Sequence, residues 1–230
     1  MPNALLSARR VSLAAAVTAA VLSLTAASGS AGERSVVKSL LEARQERVVV
    51  QNWDLSCGAA ALATLLNYQH GDMVREKEVA LGLIAQARYV ENPLLVRLRH
   101  GFSLYDLKRY VDARGYEAIG FGRMKLKDLV EKAPIMVPIM SNGYNHFVIF
   151  RGQMGNRVLL ADPAYGNRTM PSAKFERAWI DYGEEIGKVG FVVARMDGLA
   201  APNDLAPRPE EFLTLRCVRR AMSLASDAHC

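Results

Sequence analysis

Residues 48–68, VVVQNWDLSCGAAALATLLNY, hold the reading that decides the fold. A β-branched run, Val48 to Val50, gives way to a segment in which Ala60, Leu62, Ala63, Leu65 and Leu66 recur at helical spacing. That helix is predicted to open with Asp54 or Ser56 as its N-cap and to stop over residues 67–71. Cys57 therefore falls in the first turn. A thiol there meets the positive end of the helix dipole and amide N–H groups without intrahelical partners, and both favour thiolate over thiol. The bland alternative is a thiol that only packs, since free cysteine is among the most buried residue types.

Upstream, residues 35–46 read as a helix with Val36, Val37, Leu40 and Leu41 on one face, and residues 47–50 as a short strand. Downstream, residues 76–87 form a second helix of this series. Ser103-x-x-Asp106 is a capping-box variant opening a third, with Leu104, Leu107, Tyr110 and Val111 on its apolar face and an end before Gly115. Leu126, Leu129 and Val130 mark a shorter fourth, ended by Pro134. After that the period changes to two. Residues 135–140, 146–151, 157–162 and 189–195 are short runs rich in Val, Ile and Phe, separated by Asn-Gly, Gly-Asn and Pro-containing turns. Helices first and strands afterwards predict an α+β domain, with N-terminal helices packed on a C-terminal antiparallel sheet.

The compartment bears on what an unpaired thiol can do. Arg9 and Arg10 precede an uncharged apolar run, and small residues from Ala27 to Ala31 follow it, which is the three-part pattern of a secretory signal peptide over residues 1–31. The expectation is export to the periplasm; a retained anchor is the alternative. Removing Arg9 and Arg10 from the 29 basic residues leaves 27 against 23 acidic ones, a formal charge of +4. Those charges are scattered and lack aromatic interleaving, so nothing points to nucleic acid. Three cysteines leave an odd one out. Cys217 and Cys230 could pair with each other, although spacing alone does not establish the geometry. In either state Cys57 has no obvious partner. Residues 32–197 are expected to form the domain, and residues 198–230 a linker and C-terminal tail.

A cysteine nucleophile needs an imidazole, and the chain has only His70, His100, His146 and His229. His229 is next to the chain end, and His70 and His100 lie in polar, turn-like stretches. His146 begins a strand after the turn at Asn142-Gly143, and Asp162 ends the next strand. Antiparallel pairing with Phe150 opposite Leu159, or nearby, would set His146 beside Asp162. That is the nucleophile, base and orienter set of acyl-transfer enzymes. A zinc site from the same three residues lacks paired-ligand spacing and a fourth ligand. Gln51, six residues before the thiol, could supply an oxyanion donor.

The stretch from Gln51 to Gly58, the Asn145-His146-Phe147-Val148 run and the Ala161-Asp162-Pro163-Ala164-Tyr165-Gly166 run together resemble the bacteriocin-processing peptidase family, papain-like cysteine peptidases that remove leader peptides after a double glycine. The resemblance spans about residues 40–195. It implies a papain-like fold with Cys57 as nucleophile, His146 as general base and then acid, Asp162 as the residue orienting the imidazole, and Gln51 as oxyanion donor. It implies no cofactor and no metal. Ser56 departs from the family, which usually has Asp directly before the cysteine. Many relatives are fused to an ATP-driven transporter, whereas this sequence holds no P-loop. Exported stand-alone members that look like it accompany secretion systems for functional amyloid, so the expected partner is a peptide or protein substrate, or a component of fibre export. Two other readings use the same residues: a transglutaminase-like acyl transferase, and an inactive peptide-binding export chaperone.

Overall fold

The structure, a computed structural model, describes residues 39–98 and 100–212. The expectations for residues 1–31 and for Cys217, His229 and Cys230 lie outside them. Ser39 opens helix α1 (Leu40–Gln45) with a reciprocal capping box, its hydroxyl accepting from the Glu42 N–H while Glu42 accepts from the Ser39 N–H. Helix α2 (Cys57–Thr64) continues through a π turn, Leu65–Gln69. All eight residues of α2 are buried, as expected of a helix that is small and apolar all round. Helices α3 (Glu76–Ile84), α4 (Ala87–Glu91), α5 (Leu95–Leu98) and α6 (Leu104–Asp112) follow, α6 opening with the Ser103–Asp106 capping box that its sequence predicts.

Strand β1 (Tyr116–Phe121) and helix α7 (Leu126–Lys132) lead into β2 (Ile135–Ser141), β3 (Tyr144–Met154), β4 (Arg157–Asp162) and β5 (Gly166–Pro171). Helix α8 (Ser172–Ala178) and strand β6 (Gly190–Arg195) complete the set. The strands form one antiparallel sheet in the order β1-β6-β2-β3-β4-β5. On one face Met136, Ile149, Ala161 and Phe191 pack with Leu62, Leu65, Leu66, Val79, Leu83 and Leu107 from the helices. Helix α2 lies close: a Cβ on Gly58 would sit 3.3 Å from the Phe147 ring. The other face carries Val137, Val148, Phe150 and Leu160 against Leu129 of α7 and Phe175 of α8, with Trp179 beside them.

The α+β architecture is as expected, with differences of detail. Residues 47–50 are not a strand: the Val49 N–H donates to the Thr64 hydroxyl and the Gln51 N–H to the Pro163 carbonyl, so no ladder forms. Helix α7 covers the far face of the sheet instead of joining the helices around α2. Strands β1 and β5 carry too little apolar alternation to be recognised, and their partners supply their order. The stretch after Asp197, a linker by composition, also packs down. Leu205 and Phe212 are buried, and Arg151 donates to the Leu205 and Ala206 carbonyls and pairs with buried Glu211.

Candidate active site

Cys57 is the first residue of α2, and His146 and Asp162 come from neighbouring strands β3 and β4. The three meet at one end of the sheet. His146 Nε2 donates to Asp162 Oδ1 at 2.7 Å, which leaves Nδ1 for the Cys57 thiol beside it in the cleft wall. Cys57 is free, and with His146 it lines a cleft of about 800 Å³ that also includes Gln51, Asp54, His100, Asn142 and Tyr165.

A β-bulge decides that Asp162 faces His146. From the hairpin turn the pairs run Met154↔Arg157, Gln153↔Val158, Gly152↔Leu159. Continued unbroken, this register would set Asp162 opposite Ile149, whose side chain faces the α2 layer. Arg151 is instead an extra residue on β3, after which Phe150 pairs with Leu160 and Ile149 with Ala161. One step further on, Asp162 falls on the Val148 side, which is also the side of His146. A one-residue slip exchanges the faces of a strand, so the predicted pairing of Phe150 with Leu159 is corrected by one residue on β4.

Asp162 is fully buried with both oxygens occupied. Oδ1 also accepts the Ala164 N–H at 2.8 Å, and Oδ2 takes Arg168 Nε at 2.7 Å and Nη2 at 2.6 Å. Arg168 lies over the Tyr165 ring, whose hydroxyl accepts from Asn142 Nδ2. Burial would push the Asp162 carboxyl up, but His146, Arg168 and the Ala164 N–H together hold it below the ordinary carboxylate value. Burial would likewise push His146 down, yet its hydrogen bond with Asp162 and the neighbouring Cys57 prevail and lift it to about 9. The site thus favours imidazolium beside carboxylate at neutral pH. Arg168 was not singled out from sequence because β5, GNRTMP, has no strand-like pattern; its signal is its place two residues after Gly166. That glycine has φ +74°, and a Cβ there would lie 2.4 Å from the Arg44 carbonyl oxygen.

Gln51 lines the cleft, not at a strand end as expected but in the loop between Val50 and α2, with its Nε2 donating to the Trp53 carbonyl at 3.1 Å. An amide nitrogen has a second hydrogen to offer. Of the two candidate caps, Ser56 takes the N-cap position, though without a side-chain cap bond, while Asp54 lines the cleft. The Ser56 hydroxyl lies 2.6 Å from both the Trp53 carbonyl and Glu76 Oε1. His70 is buried on the Val193 carbonyl, away from the thiol, while His100 stands in the cleft wall against the Tyr144 ring. Among the described residues no group of three or more His, Cys, Asp or Glu is placed to hold a metal ion, and no helix is long and apolar enough to cross a membrane.

The family model described as the peptidase C39 family matches residues 45–183. A protein described as a probable functional amyloid protease, FapD, of Pseudomonas aeruginosa is 37% identical over 162 residues, 70% of this chain and 69% of that one. A protein of the same description from Pseudomonas fluorescens is 34% identical over 158 residues, 69% of this chain and 68% of its own length. Two solved structures share the fold. A double glycine motif protease from an AMS/PCAT transporter, in complex with the leader peptide, has a TM-score of 0.50 at 22% identity, covering 65% of this chain and 91% of its own. The peptidase domain of Streptococcus ComA, a bifunctional ABC transporter, has a TM-score of 0.51 at 15% identity, covering 65% and 98%. The chain belongs to the peptidase C39 family and is a cysteine peptidase with a papain-like fold.

Proposed function

We propose that this peptidase works with Cys57, His146 and Asp162 as its catalytic set and Gln51 as oxyanion donor, and that it acts in the periplasm on an exported protein or a component of a fibre-export system. The observation that carries the reading is a helix-start thiol in the same cleft wall as His146, whose imidazole is hydrogen-bonded to a buried carboxylate. Cys57 sulfur attacks the scissile carbonyl, and the oxygen takes the charge. The Gln51 amide and the Cys57 backbone N–H, which as the first of α2 has no intrahelical partner, stabilise that oxyanion. His146 gives its proton to the leaving amine, then draws one from the water that releases the acyl group. Asp162 holds the ring so that Nδ1 faces sulfur. No step calls for a cofactor.

The substrate side rests on the two relatives described as probable functional amyloid proteases and on the signal-peptide pattern of residues 1–31. Gly-Gly before the cut is the preference the family resemblance implies, because a constriction beside the thiol would exclude side chains. A peptide-library digest read by mass spectrometry tests both parts. New termini after Gly-Gly, absent with Cys57→Ala, are expected. Cleavage with no small residue on the acyl side refutes the glycine preference, and cross-linked products without new termini refute hydrolysis.

A further inference from the structure

The loop between Gln51 and Cys57 is held from outside by a side chain that the mechanism above does not use. Glu76 opens α3 and is buried. Its carboxylate accepts the Asn52 backbone N–H at 3.1 and 3.0 Å, Asn52 Nδ2 at 2.7 Å and the Ser56 hydroxyl at 2.6 Å. Asn52 directly follows Gln51, and Ser56 directly precedes Cys57. One carboxylate therefore grips both ends of the segment whose two flanking residues must converge on the substrate carbonyl. Inside the loop, the Trp53 carbonyl accepts from Gln51 Nε2 and lies 2.6 Å from the Ser56 hydroxyl, whose single proton it shares with Glu76. Leu55 has φ 67°, a left-handed conformation that a side-chain-bearing residue keeps only when its surroundings impose it. Among the described residues Glu76 forms no ion pair, so these neutral donors are what offsets the burial of its carboxylate.

We propose that Glu76 is a positioning residue for the oxyanion site, holding residues 52–56 so that the Gln51 amide and the Cys57 N–H point at one oxygen. This rests on the assignment of Cys57, His146 and Gln51 above. Glu76 touches neither the imidazole nor the sulfur in this arrangement, so its loss should separate two reactions of the same thiol. Alkylation by iodoacetamide forms a C–S bond as iodide leaves, and no oxyanion arises. Addition to the aldehyde acetyl-glycyl-glycinal forms a C–S bond as the C=O π bond opens, and the oxygen, with the proton it takes up from His146, occupies the oxyanion site.

The test applies both probes, and kcat and KM for a Gly-Gly peptide, to the full chain, to Glu76→Gln and to Asn52→Ala. A displacement of the order of 1 Å at such a site costs up to about 100-fold. Glu76→Gln is expected to lose about 10- to 100-fold in aldehyde affinity and in kcat, with KM within a few-fold and alkylation of Cys57 within about twofold of the parent. Asn52→Ala, an exposed residue whose loss leaves the Glu76–Ser56 contact in place, should move the same way by a smaller factor, and it carries the test if Glu76→Gln does not fold. Unchanged aldehyde affinity in a folded variant, or alkylation falling in parallel with it, overturns the proposal while the parent still takes both probes. A parent chain whose Cys57 takes neither probe overturns the site assignment, and the brace with it.

Discussion

Replacing Asp162 with Asn tests the electrostatics of the site most directly. In the parent, His146 is lifted to about 9 against a burial effect that acts downward. The asparagine amide keeps the shape of the carboxylate and removes its charge. If the carboxylate supplies most of the lift, burial takes over and His146 falls to its ordinary 6.5 or lower, a change of at least about 2.5 units, or ~3.4 kcal/mol between protonation states. The assay is an NMR titration of the imidazole carbons, with His146 assigned by its absence in His146→Gln. Peptide hydrolysis should fall by about 10²- to 10⁴-fold, the range for general acid–base groups, because the ring no longer carries the proton for the leaving amine. The same shift appears in stability. Because His146 is higher in the fold than in the unfolded chain, its contribution is complete below about 6.5 and disappears as pH rises through about 9. Because Asp162 is lower in the fold, its contribution is present above the ordinary carboxylate value and is lost as pH falls through the native one. The Asp162→Asn variant should lose both flanks of that profile. A folded Asp162→Asn chain whose His146 still titrates near 9 would refute the reasoning and assign the lift to the thiol alone.

Arg168→Gln removes the cation from Asp162 Oδ2, so the acid limb of kcat/KM should move to higher pH while Cys57 remains alkylatable; an unmoved limb would assign the ionisation of Asp162 to His146 alone. Glu211→Gln breaks a pair whose side chains are both fully buried and should cost about 3–5 kcal/mol, read as a lower denaturation midpoint. Gly166→Ala places a Cβ against the Arg44 carbonyl at a positive φ and should reduce soluble yield and thermal stability, whereas Gly155→Ala, whose Cβ meets nothing within 4 Å, should cost less.

Much of the site was legible because its signals are local. A helix start at residues 54–57, an Asn-Gly turn before His146 and a strand end at Asp162 each follow from a few neighbouring residues, and the order of the three motifs gave the family resemblance. The capping box at Ser103 and the run of β4 were readable for the same reason. What stayed hidden depends on contacts between segments far apart in the chain. Strand β5 has no pattern of its own and exists because β4 pairs with it, which is how Arg168 reaches Asp162. The residues after Asp197 look like a linker, yet Arg151 and Glu211 draw them into the fold.

The sequence by itself determined which side chains could do chemistry, because charge, thiol and imidazole are properties of residues and their spacing along helix or strand is a local matter. Only the tertiary structure decided which of them face one another. The face that Asp162 presents turns on whether one residue, Arg151, bulges out of the β3–β4 ladder, and no local rule in the hairpin announces it. The loop that follows Gln51 is gripped by a carboxylate from α3, more than twenty residues away in sequence. A strand's alternation is the same in either register, so pairing alone selects the face; a loop's shape is set by whatever grips its ends, and here that grip comes from another helix.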